Sequence, residues 1–207
     1  MMLATISPAG SVAGPVALVV QMNSVRDKAR LLPGAKWPKQ WLVYPDDCVY
    51  LSEEGTLATH TADCDYSLVH TGEELTDGRH FWEVEVLEGT PLIGVCRTNA
   101  DLRTKHCSAE NTTGWFMLYF MGTLCGNGKW IDDKAGNFEE GDRMGVLLDL
   151  DEGSILFFKN GVQHGPGYPS GSVTGPVALA VQRPGAGNRE VVVRLLPGEK
   201  WPTGHTP

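Results

Sequence analysis

Met144-Gly-Val-Leu-Leu-Asp-Leu150 runs into Asp151-Glu-Gly-Ser154, then Ile155-Leu-Phe-Phe158, then Lys159-Asn-Gly161. The apolar runs are too short for helices, and each is closed by residues that favour tight turns. The segment therefore reads as a buried strand, a turn, a hairpin strand and a second turn. Working outward, Leu92-Ile-Gly-Val-Cys96 is another continuous apolar run and is expected to be buried on both faces. Phe81-Trp-Glu-Val-Glu-Val86 alternates in part between apolar and acidic side chains, the pattern of a half-exposed strand. From Trp41 onward such short strands recur at close intervals, which is the sequence habit of an antiparallel sandwich or barrel.

Composition agrees with this reading. Twenty-five Gly and 13 Pro in 207 residues are too many for a helical protein, because both residues interrupt helices and punctuate turns. A hydrophobic share of 42% with 20% charged residues is that of a folded domain, which excludes a wholly disordered or fibrous chain. The net charge of −8 argues against the basic footprint of a nucleic-acid binder and against an anionic membrane surface. The apolar run 12–22 is not a signal peptide's hydrophobic region: no basic residue precedes it and Pro8 and Pro15 interrupt it. No run reaches the roughly 18 apolar residues of a membrane span. Five cysteines (Cys48, Cys64, Cys96, Cys107, Cys125) are odd in number, far apart and without a C-x-x-C pair. This spacing argues against a disulfide framework and a zinc site, and the expectation is reduced thiols in a cytoplasmic or nuclear protein.

An internal repeat organises the chain. Ser11-Val-Ala-Gly-Pro-Val-Ala-Leu-Val-Val-Gln21 returns as Ser172-Val-Thr-Gly-Pro-Val-Ala-Leu-Ala-Val-Gln182, differing at two positions. Arg30-Leu-Leu-Pro-Gly-Ala-Lys-Trp-Pro38 returns as Arg194-Leu-Leu-Pro-Gly-Glu-Lys-Trp-Pro202. The offset of 161 to 164 residues is the length of a domain. Residues 1–42 thus read as a partial repeat, the closing strands of a unit, and residues 43–207 as the complete unit. Trp37 and Trp201 hold equivalent places and are expected to cover a sheet edge or the base of a sandwich.

Gly78-Arg-His-Phe-Trp-Glu-Val-Glu85, Ile93-Gly-Val95 and the block Gly141 to Gly161 together resemble the core motifs of a SPRY domain, in the family's order. Gly114-Trp-Phe and Gly126-Asn-Gly-Lys129 stand between them where the family places its central strands, and residues 43–55 resemble the preceding PRY-type segment. The resemblance implies an all-β fold, a bent antiparallel β-sandwich of concanavalin-like jelly-roll type. It also implies a non-catalytic protein–protein interaction module that binds a peptide segment through loops at one edge. The first repeat block resembles the closing strands of another SPRY copy, which implies a tandem arrangement.

The binding loops implied by the resemblance fall near residues 60–65, 97–103, 119–124 and 182–188. Within them Thr61, Asp63, Arg97, Asn99, Asp101 and Arg183 are the expected polar anchors and Tyr119 the aromatic contact. Arg183 suits an acidic or carbonyl-rich peptide, because its planar fork binds two acceptors at once. Trp82 and Trp115 sit inside apolar strand patterns and are expected in the core.

Enzymatic readings find no support in the motifs. Gly126-Asn-Gly-Lys-Trp130 lacks the spacing of a phosphate loop, Asp149-Leu-Asp-Glu-Gly153 lacks that of a calcium loop, and Gly171-Ser-Val-Thr-Gly175 is out of register for a nucleophile elbow. His106 and Cys107 are neighbours in sequence, which is not how a nucleophile and its base are brought together. The six histidines form no metal-binding cluster, so no cofactor or metal is expected. The rival reading is a structural role, in which the duplicated strands of residues 1–42 add to an open sheet edge and drive self-association.

Overall fold

The computed structural model describes residues 40–43, 48–64, 66–99, 112–119, 121–131, 135–185, 189–197 and 201–206. In chain order the strands are β1 (Trp41–Leu42), β2 (Val49–Ser52), β3 (Leu57–His60), β4 (Leu68–Thr71), β5 (Arg79–Glu88), β6 (Leu92–Arg97) and β7 (Gly114–Leu118). They continue with β8 (Thr123–Gly126), β9 (Lys129–Ile131), β10 (Arg143–Asp149), β11 (Ser154–Lys159), β12 (Val162–Gln163), β13 (Val177–Gln182) and β14 (Val191–Leu196). A 3-10 turn, Glu53–Gly55, joins β2 to β3.

The strands form two seven-stranded antiparallel sheets packed as a sandwich. One runs β1-β4-β13-β6-β7-β8-β9 and the other β12-β11-β10-β5-β14-β3-β2. The hairpins follow from local chemistry. Asn127-Gly128 between β8 and β9 and Asn160-Gly161 between β11 and β12 all have positive φ, the backbone that a two-residue hairpin turn needs and that Asn and Gly accept most easily. At the β10–β11 turn the Asp149 carboxylate accepts from the Glu152 backbone N–H at 2.9 Å, while Asp151 accepts from Gly78 N–H at 2.9 Å and ties the turn to the start of β5.

The inter-sheet core takes alternate residues of each strand, among them Trp82, Val84 and Val86 of β5, Ile93 and Val95 of β6, Trp115 and Met117 of β7, Val146 and Leu148 of β10, and Val177, Leu179 and Val181 of β13. Both tryptophans expected in the core are there, at 1% exposure. Tyr168 is buried, and its hydroxyl donates to the carbonyls of Phe116 (3.1 Å) and Cys125 (2.9 Å). Strands β6 and β10 are buried on both faces as expected, because each sheet's outer face is itself apolar. On the first sheet the outward set is Leu68, Leu92, Cys96, Phe116, Leu118, Cys125 and Ala180. On the second it is Phe81, Leu147 and Phe158, with Leu156 and Trp201 packed against them. Gly94 permits the close approach of β6 and β7: a Cβ there would stand 2.0 Å from the Trp115 carbonyl oxygen.

Three expectations are corrected. Trp201 caps a sheet face and not an edge or the base, with its ring 6.0 Å from that of Phe81 and the Arg79 guanidinium 5.7 Å above it. Trp41 and Leu42 pair with Thr71 and His70 of β4 and Trp41 is 1% exposed, so the sandwich begins before residue 43. The cysteines are not all reduced thiols: Cys48 and Cys64 form a disulfide and Cys125 is disulfide-bonded as well, while among the described residues Cys96 is free and buried. The first pair is 16 residues apart in sequence, but the β2–β3 hairpin sets Val49 opposite His60 and brings the two Cα atoms to 5.5 Å, well inside the span of a disulfide. Sequence distance alone carries no trace of that closure.

Candidate binding surface

Strand register sorts the loops into two groups. Leu92, the start of β6, is opposite Gln182, the end of β13, and opposite Leu118, the end of β7; Gln182 in turn is opposite Leu68, the start of β4. The β3–β4, β5–β6, β7–β8 and β13–β14 connections therefore lie at one end of the sandwich. Arg97, at the other end of β6, is opposite Val177, so the β6–β7 connection lies at the far end with the approach to β13. Five strand steps separate the two, roughly 16 Å. Thr61, Asp63, Tyr119 and Arg183 fall in the first group, and Arg97 and Asn99 in the second. Asp101 lies outside the described residues. The candidate residues do not make one patch.

At the first end the β3–β4 connection is braced on several sides. The Cys48–Cys64 disulfide holds it to the start of β2. The Arg183 guanidinium donates to the carbonyls of Cys64 (2.5 Å), Ala62 (3.0 Å) and Arg189 (3.1 Å), and the Arg183 backbone N–H donates to Ser67 (2.9 Å). Gln182 Nε2 donates to the Tyr66 carbonyl at 3.2 Å, and His60 Nδ1 lies 2.8 Å from Ser67 Oγ. Gly185 lets the chain lie against Tyr66, since a Cβ there would sit 2.5 Å from the ring. Two expected anchors are thereby corrected. Arg183 is 1% exposed, its fork spent on the protein's own carbonyls, so it is a brace and not a partner contact. Thr61 turns its Oγ1 inward, buried and without a hydrogen bond. Asp63 is exposed.

Tyr119 is the third correction, because at 1% exposure it belongs to the core. Its hydroxyl donates to the Glu139 carbonyl and its ring stacks on Phe138 at 5.0 Å. Burial, helped by the nearby carboxylates of Asp142, Glu140 and Glu139, pushes the Tyr119 hydroxyl far above the ordinary tyrosine range. Phe138 is also met edge-on by His164 at 4.6 Å, and Lys159 lies 5.5 Å from its ring. Lys159 donates to the Asn137 carbonyl at 2.9 Å and pairs with Asp142 at 2.8 Å. Partial burial opposes ionisation of Asp142, but hydrogen bonds from Lys159, the Glu139 backbone and Asn160 outweigh it and hold the carboxyl below its usual range. These contacts tie the approach to β10 to β7 and β11. Residues that the sequence reading left out also lie at this end: Glu88, Glu139, Glu140 and Glu190 are exposed, as is Arg189 of the β13–β14 connection. No motif marks them; only the strand order gathers them.

At the far end Arg97 donates to the Thr174 carbonyl (3.2 Å) and Thr174 Oγ1 (3.1 Å), and its guanidinium lies 5.2 Å above the Trp115 ring. Asn99 beside it is exposed. A cleft of about 430 Å³ opens at this end on the outer face of the second sheet, beside Arg79, Asp149 and His205. Arg79 is already engaged there by Asp149 at 3.2 Å and by the Thr206 carbonyl. Among the described residues no group of three or more His, Cys, Asp or Glu side chains could hold a metal ion, and no helix is long and apolar enough to cross a membrane.

Two packed seven-stranded antiparallel sheets with braced end loops define the class of β-sandwich to which this chain belongs. The SPRY domain family matches residues 79–194, more than half of the chain, and the protein belongs to that family. The SPRY domain of human HERC1 superposes with a TM-score of 0.62 at 19% identity, covering 74% of this chain and 95% of that one. The TRIM65 PSpry domain gives 0.59 at 18% identity, covering 76% and 92%. In sequence, the E3 ubiquitin-protein ligase TRIM11 of Bos taurus is 36% identical over 88 residues, 42% of this chain and 18% of the relative. Butyrophilin subfamily 1 member A1 of Mus musculus is 34% identical over 113 residues, 51% of this chain and 20% of the relative. The matches span about a fifth of those relatives' length.

Proposed function

We propose that this chain is a non-catalytic recognition module that binds a segment of a partner protein at the sandwich end bearing Asp63 and Glu190. Membership of a family of protein-interaction modules supports the general reading. The observation that carries the particular surface is the bracing of the β3–β4 connection by the Cys48–Cys64 disulfide and the Arg183 fork. A loop held this way loses little conformational freedom on binding, so more of the contact energy remains as affinity. The exposed charge among the described residues at this end is mostly acidic, which favours a partner segment carrying Lys or Arg, and the burial of Arg183 removes the cation that would suit an acidic one. The test is capture by the wild-type chain and by Asp63→Lys/Glu190→Lys. Loss of a partner with unchanged thermal stability supports the reading, and equal capture rejects it.

The domain division is also a proposal: one SPRY unit, preceded by a partial repeat equivalent to its closing strands. The paired cysteines favour an oxidising compartment over the cytoplasm, since disulfides persist where thiols are not kept reduced. Alkylation of the natural protein before reduction reads this directly: protected Cys48 and Cys64 support it, and labelled ones overturn it.

A further inference from the structure

The outer face of the second sheet carries an apolar row, although the solvent face of an antiparallel sheet is ordinarily polar. Register sets Phe81 of β5 beside Leu147 of β10, and Leu147 beside Leu156 of β11; the neighbouring row is Arg79, Asp149 and Ser154. Residues 201–206 lie over these rows. The Trp201 ring stands 6.0 Å from that of Phe81 with the Arg79 guanidinium 5.7 Å above it, and Pro202 beside it is buried. The His205 ring meets Phe158 edge-on at 5.6 Å, and the Thr206 carbonyl accepts from Arg79 Nη1. His205 N–H donates to the Pro202 carbonyl at 3.0 Å and closes the segment into a turn.

Side chains, and not a sheet ladder, hold the segment. Among the described residues its backbone exchanges no hydrogen bond with the backbone of a strand, so it can leave without opening either sheet. Next to His205 the cleft of about 430 Å³ has Leu147, Leu156, Asp149 and Glu152 in its lining. These two carboxylates are accompanied by one guanidinium, that of Arg79, which Asp149 and the segment already engage. Glu152 is exposed, and its carboxylate meets only the Ser170 hydroxyl at 3.5 Å among the described residues. The cleft therefore has a negative charge to spare beside an apolar floor.

We propose that the outer face of β5, β10 and β11 is a recognition groove for a partner segment of the form Trp-Pro-x-x-Lys or Trp-Pro-x-x-Arg, which residues 201–206 occupy in the free chain. The segment in place shows what the groove takes. An indole lies against Phe81 and under Arg79, where cation and ring attract. The proline next to it brings no N–H into the apolar row. Four residues after the indole, His205 stands at the cleft; a Lys or Arg there lays its stem along Leu147 and Leu156 and carries its charge to Glu152. That added contact lets a partner displace the chain's own segment, whose effective concentration at the groove is roughly millimolar. The groove lies on a sheet face and not on the loops bearing Asp63 and Glu190, so it stands or falls apart from the surface proposed above.

The full chain tests this against a fluorescent peptide, Trp-Pro-Thr-Gly-His-Thr, the sequence of residues 201–206, with anisotropy as the readout. The wild type should bind it weakly, because its own segment holds the groove. Trp201→Ala/His205→Ala should still melt cooperatively and bind the peptide about tenfold more tightly. A peptide with Arg in place of His should gain about another tenfold on that chain, and Glu152→Gln should remove the gain. A peptide with Ala in place of Trp should not bind. Equal binding by the wild type and the double variant, equal binding of the Trp and Ala peptides, or no gain from Arg would overturn the proposal. So would loss of cooperative melting in Trp201→Ala/His205→Ala, which would make residues 201–206 part of the fold and not an occupant of its surface.

Discussion

The Arg183 guanidinium and the Cys64 carbonyl meet at 2.5 Å in the interior of a loop cluster, one residue past the end of β13 and four past the end of β3. Arg183 also serves the carbonyls of Ala62 and Arg189, so truncation to Ala leaves three carbonyls of a part-buried loop cluster without their donor. Each buried acceptor left without a donor costs about 1–3 kcal/mol. Arg183→Ala is therefore expected to lower unfolding free energy by roughly 2–5 kcal/mol. Arg183→Lys should recover little, because an ammonium cannot span three carbonyls set around a planar fork. Urea denaturation checks both; a loss under about 1 kcal/mol for the Ala variant would mean the fork contributes little to the fold.

The Cys48–Cys64 disulfide spans 16 residues and should stabilise by about 3 kcal/mol, chiefly by restricting the unfolded chain. Cys48→Ser/Cys64→Ser is expected to unfold at a lower denaturant concentration than the oxidised wild type. Partner binding should weaken more than a global loss of that size explains, since the loop bearing Asp63 loses one of its braces. A variant with wild-type stability would show that the bond constrains nothing the fold does not already hold.

Much of the fold could be read from local chemistry. The Met144 to Gly161 stretch specified two strands and two turns because apolar period and turn residues agree there, and Trp82 and Trp115 announced the core through their neighbours. The site was legible only in part. Arg183 reads as solvent-facing because an Arg just past a strand end usually is, and nothing local shows the carbonyls of residues 62, 64 and 189 converging on it. Arg97 and Asp63 looked like members of one surface because loop identity follows sequence, whereas loop location follows strand order. The antiparallel pairing of β6 with β13 sends them to opposite ends. The disulfide was hidden for the same reason: its closure is made by hairpin register.

Cys96 gives a prediction in pH. Burial pushes its thiol from 9.0 up to about 12, so the folded state holds the proton that the unfolded state releases. A group raised in the folded state contributes stability that is complete below its unfolded value and is lost as pH rises through its folded value. Stability should therefore decline above about pH 9 and continue toward pH 12, a total of order 4 kcal/mol. Tyr119 and Tyr168, both raised chiefly by burial, add to the decline only above about pH 10. Among the described residues the slope between pH 9 and 10 belongs to Cys96, and Cys96→Ala should flatten it in denaturation series. An unchanged slope in that variant would assign the decline to another group.

The separation of the two loop groups makes the binding surface decidable by charge. At the Asp63 end the exposed carboxylates face solvent on braced loops, and reversing two of them replaces attraction for a basic segment with repulsion. Rim charges act mainly through encounter, so Asp63→Lys/Glu190→Lys should weaken capture of the partner about tenfold and reduce its salt sensitivity. Arg97→Ala, at the far end, should leave affinity unchanged while lowering stability by about 1–2 kcal/mol, through the lost contact over Trp115 and the lost bonds to Thr174. Titration of the captured partner against the three chains separates the cases. If Arg97→Ala abolishes binding and the double charge reversal does not, the recognising end is the one that carries Arg97 and Asn99, and the bracing of the β3–β4 connection serves the fold alone.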